Sequence, residues 1–189
     1  MGHYEKIGVK HPKVKYPVMF GQGDNRYPGM LATEDIKPGE VIIEVPGREI
    51  INTKVAFYSE LNPIFYDHPE VFGKHLSDGE DMMLYAFILL EIQKGTKSKY
   101  HAMIKMWPKD TDILLNWDEE DLEYLQDPTL MLEAEKQYGD LMESWNSLYK
   151  VLSLHPDMFK PESISLYRFK WVFILSTNRC FSSNWPGVC

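Results

Sequence analysis

The chain has 189 residues, 44% of them apolar, a formal net charge of −8 and a pI near 5.2. That length and apolar content suit one domain, or one domain and part of another, with a real core, while the acidic balance argues against a nucleic-acid surface and favours basic partners such as a lysine-rich protein segment. The two cysteines, Cys180 and Cys189, make neither a disulfide framework nor a tetrahedral zinc site, and there is no apolar run long enough for a membrane span and no signal-peptide core, so a reducing, cytoplasmic or nuclear compartment is the expectation.

Residues 1–20 read as an extended lead-in with one strand, Val14 to Met19. Gly21-Gln22-Gly23 lacks the preceding buried strand and following helix of a nucleotide loop, and reads as a turn between strands. Gly29 to Ala32 and Val41 to Val45 follow as two short strands. Between them Pro38 pre-sets φ for the first corner of a turn and Gly39 can take the positive φ of the second, so the pair is predicted to form a β-hairpin. Ile42, Ile43 and Val45 suit a pleated sheet, and Pro46, which cannot donate to a ladder, ends it. Arg48 to Asn52 reads as a further strand.

Asn52 or Thr53 then caps a helix from Lys54 to about Leu61. Residues 62–79, punctuated by Pro63, Pro69, Gly73 and Gly79, form a connecting loop with short helical turns. Asp78 to Lys94 is the strongest helix, with Asp78, Glu80 and Asp81 in its first turn, an almost wholly apolar stretch from Met82 to Ile92, and Gly95 as its stop. Its methionines and aromatics belong to a core rather than a cofactor box. Shorter helices are predicted over Ser98 to Met106 and Asp118 to Gln126. A long one runs from Pro128 to about Ser153, with Gly139 as a weak point, and a last one from Glu162 or Ser163 to about Asn178. Strands first and a helical block afterwards give an α+β order.

Several of these stretches carry a resemblance. The run from Ala32-Thr33 through Asp35-Ile36-Lys37-Pro38-Gly39-Glu40 to Val45-Pro46 looks like the opening of a SET domain. It is most similar to the class typified by the Rubisco large-subunit methyltransferase, whose SET domain is split by a helical insert. Leu84 and Leu89 through Glu91, Gly95 and Ser98 to Trp107-Pro108 is similar to that class's "L-x-x-E-x-x-x-G-x-x-S" segment. Trp117 to Gln126 resembles its "W-x-x-[ED]-E-L-x-x-L", and Phe169-Lys170-Trp171 through Ser176 to Arg179 its "F-x-W-A-x-x-x-[VI]-x-[ST]-R". The matches span about residues 26 to 181.

The resemblance implies an α+β fold with residues 1–77 as the β-rich N-terminal SET portion, 78–160 as the helical insert and 161–189 as the start of the returning SET portion. It also implies an S-adenosylmethionine-dependent protein methyltransferase, most simply lysine-directed, or a fragment of one. Tyr27, Pro28 and Gly29 match the glycine-rich turn whose backbone touches the cofactor in that class, with Tyr27 where a glycine is common. Arg179 matches its cleft arginine. The class goes on to an Asp-x-x-Asn-His motif, an amine-orienting tyrosine and a C-terminal helical domain. No Asn-His pair occurs in these 189 residues, so the expectation is the first part of such a protein, one that needs a complementing half or partner chain.

Two other readings stand beside it. A non-catalytic SET-derived protein would use the acidic helical insert to bind a protein partner. A metal hydrolase would use His68, His75 and His101, but no H-E-x-x-H or cysteine pair accompanies them, and scattered surface histidines are the better account.

Overall fold

A computed structural model describes residues 3–73 and 79–180. The chain divides into two compact units, Met1–Ile50 and Ile51–Cys189.

The first unit begins with a helical turn, α1 (His3–Lys6), where an extended lead-in was expected. Its sheet has two antiparallel strands, β1 (Val14–Phe20) and β2 (Tyr27–Ala32), with Val14 opposite Ala32, Lys15 opposite Leu31, Val18 opposite Gly29 and Phe20 opposite Tyr27. The register shifts between Lys15 and Val18, where Pro17 has no N–H for the ladder. Gly21 makes the connection possible. Its φ is +84°, and a Cβ there would lie 2.2 Å from the Asn25 carbonyl oxygen, so only glycine lets the chain double back this tightly.

This topology corrects the predicted hairpin. β2 pairs with the strand before it, and residues 41–45 form no strand. The turn itself is where the sequence put it: Gly39 has φ +85° and the Glu40 N–H donates to the Lys37 carbonyl at 3.1 Å. What closes on that turn, however, is Lys13, the residue just before β1. Lys13 Nζ donates to the Asp35 carbonyl at 3.0 Å and to both Glu40 oxygens at 2.8 and 2.9 Å, while the Glu40 carboxylate also accepts from the Lys37 N–H at 2.7 Å. Ala32 is thereby carried past Lys13, and the sequence-adjacent β1, reached through the glycine turn, takes the ladder. The 41–45 segment keeps one isolated bridge, Lys10 to Glu44, with backbone hydrogen bonds of 2.9 and 2.8 Å and an ion pair of 3.0 Å. The strand expected over Arg48 to Asn52 is replaced by a 3₁₀ turn at Gly47–Glu49. Val14 is the one buried apolar side chain among the described residues of this unit.

The second unit is helical. Asn52 caps α2 (Thr53–Phe57), accepting from the Val55 N–H at 2.9 Å. Two short helices follow, α3 (Asn62–Asp67) and α4 (Pro69–Phe72), each with a proline in its first turn, where the missing N–H costs nothing. The central helix is α5 (Glu80–Lys94); the start predicted at Asp78 lies outside the described residues. From Tyr85 to Glu91 every residue of α5 is buried, and Gly95, at φ +55°, stops it. Then come α6 (His101–Met106), α7 (Glu119–Leu125), α8 (Pro128–Leu152) and α9 (Leu166–Arg179). Asp118, Asp127 and Ser165 accept backbone N–H groups at the starts of the last three. Gly139 does not interrupt α8. The last helix starts at Leu166 because Pro161–Ser163 is spent on a 3₁₀ turn.

Helices α2, α8 and α9 all pack on α5. Tyr85 of α5 meets Phe169 edge-on at 5.4 Å and Phe173 at 5.8 Å, and Trp145 of α8 meets Phe169 at 5.4 Å. Each large apolar side chain buried this way contributes about 1.5–3 kcal/mol.

One charged group lies inside this apolar wall. Glu91 is 4% exposed. Its carboxylate accepts from Ser98 Oγ at 2.5 Å and from Lys94 Nζ at 2.5 Å, and Lys94 also reaches Glu60 at 2.8 Å. Desolvation lowers the Lys94 pKa, but the bonds to Glu60 and Glu91 outweigh it and hold the ammonium above its ordinary value. The Glu-x-x-x-Gly-x-x-Ser spacing is thus a folding device. Gly95 turns the chain so that Ser98 returns to the buried carboxylate one turn behind.

Two outcomes follow. Ser98→Ala leaves a buried carboxylate short of a donor and should destabilise the protein by about 1.5–3 kcal/mol in urea unfolding, whereas a loss within error contradicts the assigned role. Glu40 has a pKa lowered first by Lys13 and then by the Lys37 N–H. Its clip is therefore fully formed above the ordinary value of 4.5 and is lost as pH falls through the lowered folded value. Carboxyl NMR should place the Glu40 midpoint below that of Glu40 in the Lys13→Ala variant.

Candidate functional site

The sequence-predicted site residues fall on both units. Tyr27, Pro28 and Gly29 are consecutive on β2. Tyr27 is 60% exposed and stacks on Phe20 with ring centroids 6.0 Å apart. A Cβ on Gly29 would sit 2.8 Å from two ring carbons of Phe20, so this glycine is required by the ring that lies over it. Phe20 therefore gives Gly29 a packing reason of its own. What remains for a ligand at this strand is the exposed edge at Tyr27 and Pro28.

Arg179 is the last residue of α9 and is exposed. Its guanidinium forms no hydrogen bond or ion pair among the described residues. The side chains just before it are engaged. Thr177 Oγ1 donates back to the Phe173 and Ile174 carbonyls at 3.1 Å each, and Asn178 Nδ2 donates to the Ile174 carbonyl at 2.9 Å. A cation here also complements the C-terminal end of the helix dipole.

Two weakly acidic side chains lie near this helix end, Tyr85 and Cys180. Burial pushes the Tyr85 phenol far above its ordinary value, with Asp81 and Cys180 adding to the shift. Desolvation of its sulfur also raises the Cys180 thiol, and Asp81 adds to that, although the residue as a whole reaches solvent. Neither group is an anion near neutral pH.

Of the histidines weighed for a metal, His75 lies outside the described residues, and His68 is engaged by Glu70 and by His155, a partner the sequence gave no reason to choose. Among the described residues, no three His, Cys, Asp or Glu side chains come together to hold a metal ion. Nor is any of the described helices long and apolar enough to cross a membrane.

The structure adds one feature that motif reasoning missed. An open cleft of about 760 Å³ is lined by Asp110, Asp112, Asp121, Trp117 and Tyr124 together with three neighbours. Trp117 Nε1 donates to Asp112 Oδ1 at 2.7 Å, which fixes the indole, and Tyr124 is 75% exposed. Three carboxylates and two aromatic rings with no cationic lining residue suit a basic side chain. The signal was present in the acidic opening of α7, but residues 110–112 come from the loop before it, so only the fold joins them.

Similarities to known proteins were found in sequence and in structure. No family profile matches the chain. It is 26% identical over 154 residues to the chloroplastic Rubisco large-subunit N-methyltransferase of Nicotiana tabacum, covering 82% of this chain and 29% of that protein. It is 29% identical over 157 residues to the ribosomal lysine N-methyltransferase set10 of Schizosaccharomyces pombe, covering 82% and 26%. With human actin-histidine N-methyltransferase the identity is 25% over 146 residues, covering 76% and 24%. Among solved structures, the SET domain of LSMT bound to lysine and AdoHcy matches with a TM-score of 0.75 at 23% identity, over 94% of this chain and 37% of that one. Rubisco LSMT bound to AdoMet matches with the same TM-score and identity, over 94% and 39%. The chain thus spans about a quarter to two fifths of the length of these relatives. Over the part that it spans, the chain resembles in sequence and in fold the SET-domain methyltransferases of the Rubisco large-subunit methyltransferase class.

Proposed function

We propose that this chain is the N-terminal SET portion and helical insert of an S-adenosylmethionine-dependent protein methyltransferase, acting on a lysine or another nitrogen-bearing side chain of a protein. The observation that carries the reading is the fold, shared at a TM-score of 0.75 with a SET domain solved with AdoMet. Methyl transfer needs the sulfonium held in line with a neutral amine, and carbonyl oxygens and aromatic faces favour the cationic donor. The exposed residues Tyr27 and Pro28, with the partly buried Gly29 beside them, suit that side of the cofactor. The guanidinium of Arg179, which meets no partner among the described residues, is a fork for a carboxylate. A cytoplasmic or nuclear setting is part of this reading, since two relatives are named for actin and ribosomal substrates, while the tobacco relative is chloroplastic.

The same reading accounts for the apolar surface of the first unit. Val41 is 69% exposed, Ile42 44%, and Ile43 and Val45 39% each, and this segment has no ladder beyond the Lys10–Glu44 bridge. Two strands alone are marginal in water, so further SET-type β-structure, supplied in cis or by a partner chain, is proposed to cover it.

A second reading, a non-catalytic interaction protein, is favoured by the Asp110–Asp112–Asp121 cleft with Trp117 and Tyr124. This reading needs no cofactor. A basic peptide segment would dock by charge and by cation–π contact.

Calorimetry separates the two. On the first reading S-adenosylmethionine binds at micromolar concentration and Arg179→Ala weakens it about tenfold, or about 1.4 kcal/mol; no heat at millimolar cofactor removes the cofactor role of this chain. On the second, a lysine-rich peptide binds and Tyr124→Ala weakens it about two- to fivefold, and an unchanged affinity removes the cleft as the docking site.

A further inference from the structure

Two histidines distant in sequence meet inside the helical unit. His68 sits at the corner between α3 and α4, and His155 follows the end of α8. Their Nε2 atoms are 3.3 Å apart, and the ring planes cross at 85° with centroids 5.5 Å apart. The centroids are farther apart than the nitrogens by about two ring radii, so each nitrogen points along its own axis at the other. That is a straight N–H to lone-pair contact. On its other side, His68 Nδ1 lies 3.0 Å from Glu70 Oε1.

These contacts fix the proton count. A carboxylate only accepts, so His68 Nδ1 carries a proton. If His68 is neutral, its Nε2 is a bare lone pair and His155 donates to it. If His68 is an imidazolium, its Nε2–H donates and His155 must be the bare acceptor. Both states are satisfied, with no charge or one charge on the pair. A second charge leaves N–H facing N–H at 3.3 Å, which is repulsive. Glu70 stays ionised throughout, because its own backbone hydrogen bond, and then His68, hold its carboxyl below the ordinary value. Among the described residues Glu70 is the one charged group that meets either ring. Asp67 on α3 and Asp157 in the turn after α8, the nearest carboxylates in the chain, form no hydrogen bond or ion pair with them.

Both rings stand on turns anchored in the core. The His68 carbonyl accepts from the Val71 and Phe72 N–H groups, and the His155 carbonyl from those of Met158 and Phe159. Phe72 and Phe159 are among the fully buried side chains. Parting the rings therefore works directly on both turns.

We propose that His68 and His155 form a proton-limited clasp, closed while the pair carries at most one positive charge, whose opening on acidification loosens the α3–α4 corner from the end of α8. The sign follows from linkage. At low pH the unfolded chain carries two imidazoliums and the closed clasp one, so the open or unfolded state binds more protons and stability rises with pH.

The test is hydrogen-exchange protection of residues 68–72 and 155–159 between about pH 8 and about pH 5, the range in which histidine changes charge. Protection should fall on acidification by up to about tenfold per pH unit, the limit for one proton. His155→Gln keeps an amide donor facing the His68 lone pair but cannot titrate, so its protection should stay flat. An equal fall in this variant, or no fall in the wild type, overturns the proposal. Imidazole ¹⁵N NMR of the wild type decides the matter even if the variant does not fold. At about pH 8 His68 should show a protonated Nδ1 and a bare Nε2, and Nε2–H on both rings would overturn the clasp.

Discussion

Helix α5 is apolar on nearly every side, and that single constraint organises the second unit. A helix without a polar face has to be surrounded. Helices α2, α8 and α9 pack around it, each held at its start by a short polar side chain at the cap. The one charge placed within this wall, Glu91, is satisfied from both directions, by Lys94 one turn on and by Ser98 beyond the glycine stop. A buried carboxylate left unpaired would cost several kcal/mol, so the Glu–Gly–Ser spacing fixes where the chain turns after α5 and hence where α6 begins.

The first unit is built on the opposite principle. It has strands, glycine turns and exposed ion-pair clips, but hardly any core. Exposed ion pairs such as Lys10–Glu44 contribute little by themselves. The apolar side chains from Val41 to Val45 have the composition of an interior strand and the exposure of a surface one. Local turn chemistry decides the path of this unit, and packing decides the path of the other.

How much of this was legible in the sequence differed between the two. The helices of the second unit were legible where a cap or an apolar run marks them, because Asn52, Asp118 and Asp127 announce theirs and the Met82 to Ile92 run could only be buried, whereas the turn α1 in the first unit has no such signal. Boundaries moved by a turn where a proline or glycine fed a 3₁₀ turn first, as at Gly95–Lys97 and Pro161–Ser163. The turn at Pro38-Gly39 was legible and the pairing around it was not, since Lys13 is more than twenty residues from Glu40 in the chain and no local pattern links them. The candidate site divides the same way. Arg179 could be placed at a helix end from its spacing, but the Phe20 ring over Gly29, the Asp112–Trp117 contact and the His68–His155 pair are tertiary facts.

The central proposal is that Tyr27 to Gly29 and Arg179 serve a methyl donor. The most direct measurement is an NMR titration with S-adenosylhomocysteine, following the Tyr27 and Gly29 amides and the Arg179 Nε–H. The account predicts that all three shift in the same titration, ahead of the amides around the Asp110–Tyr124 cleft. Shifts confined to the cleft, or none at any of these positions with saturating ligand, would contradict it.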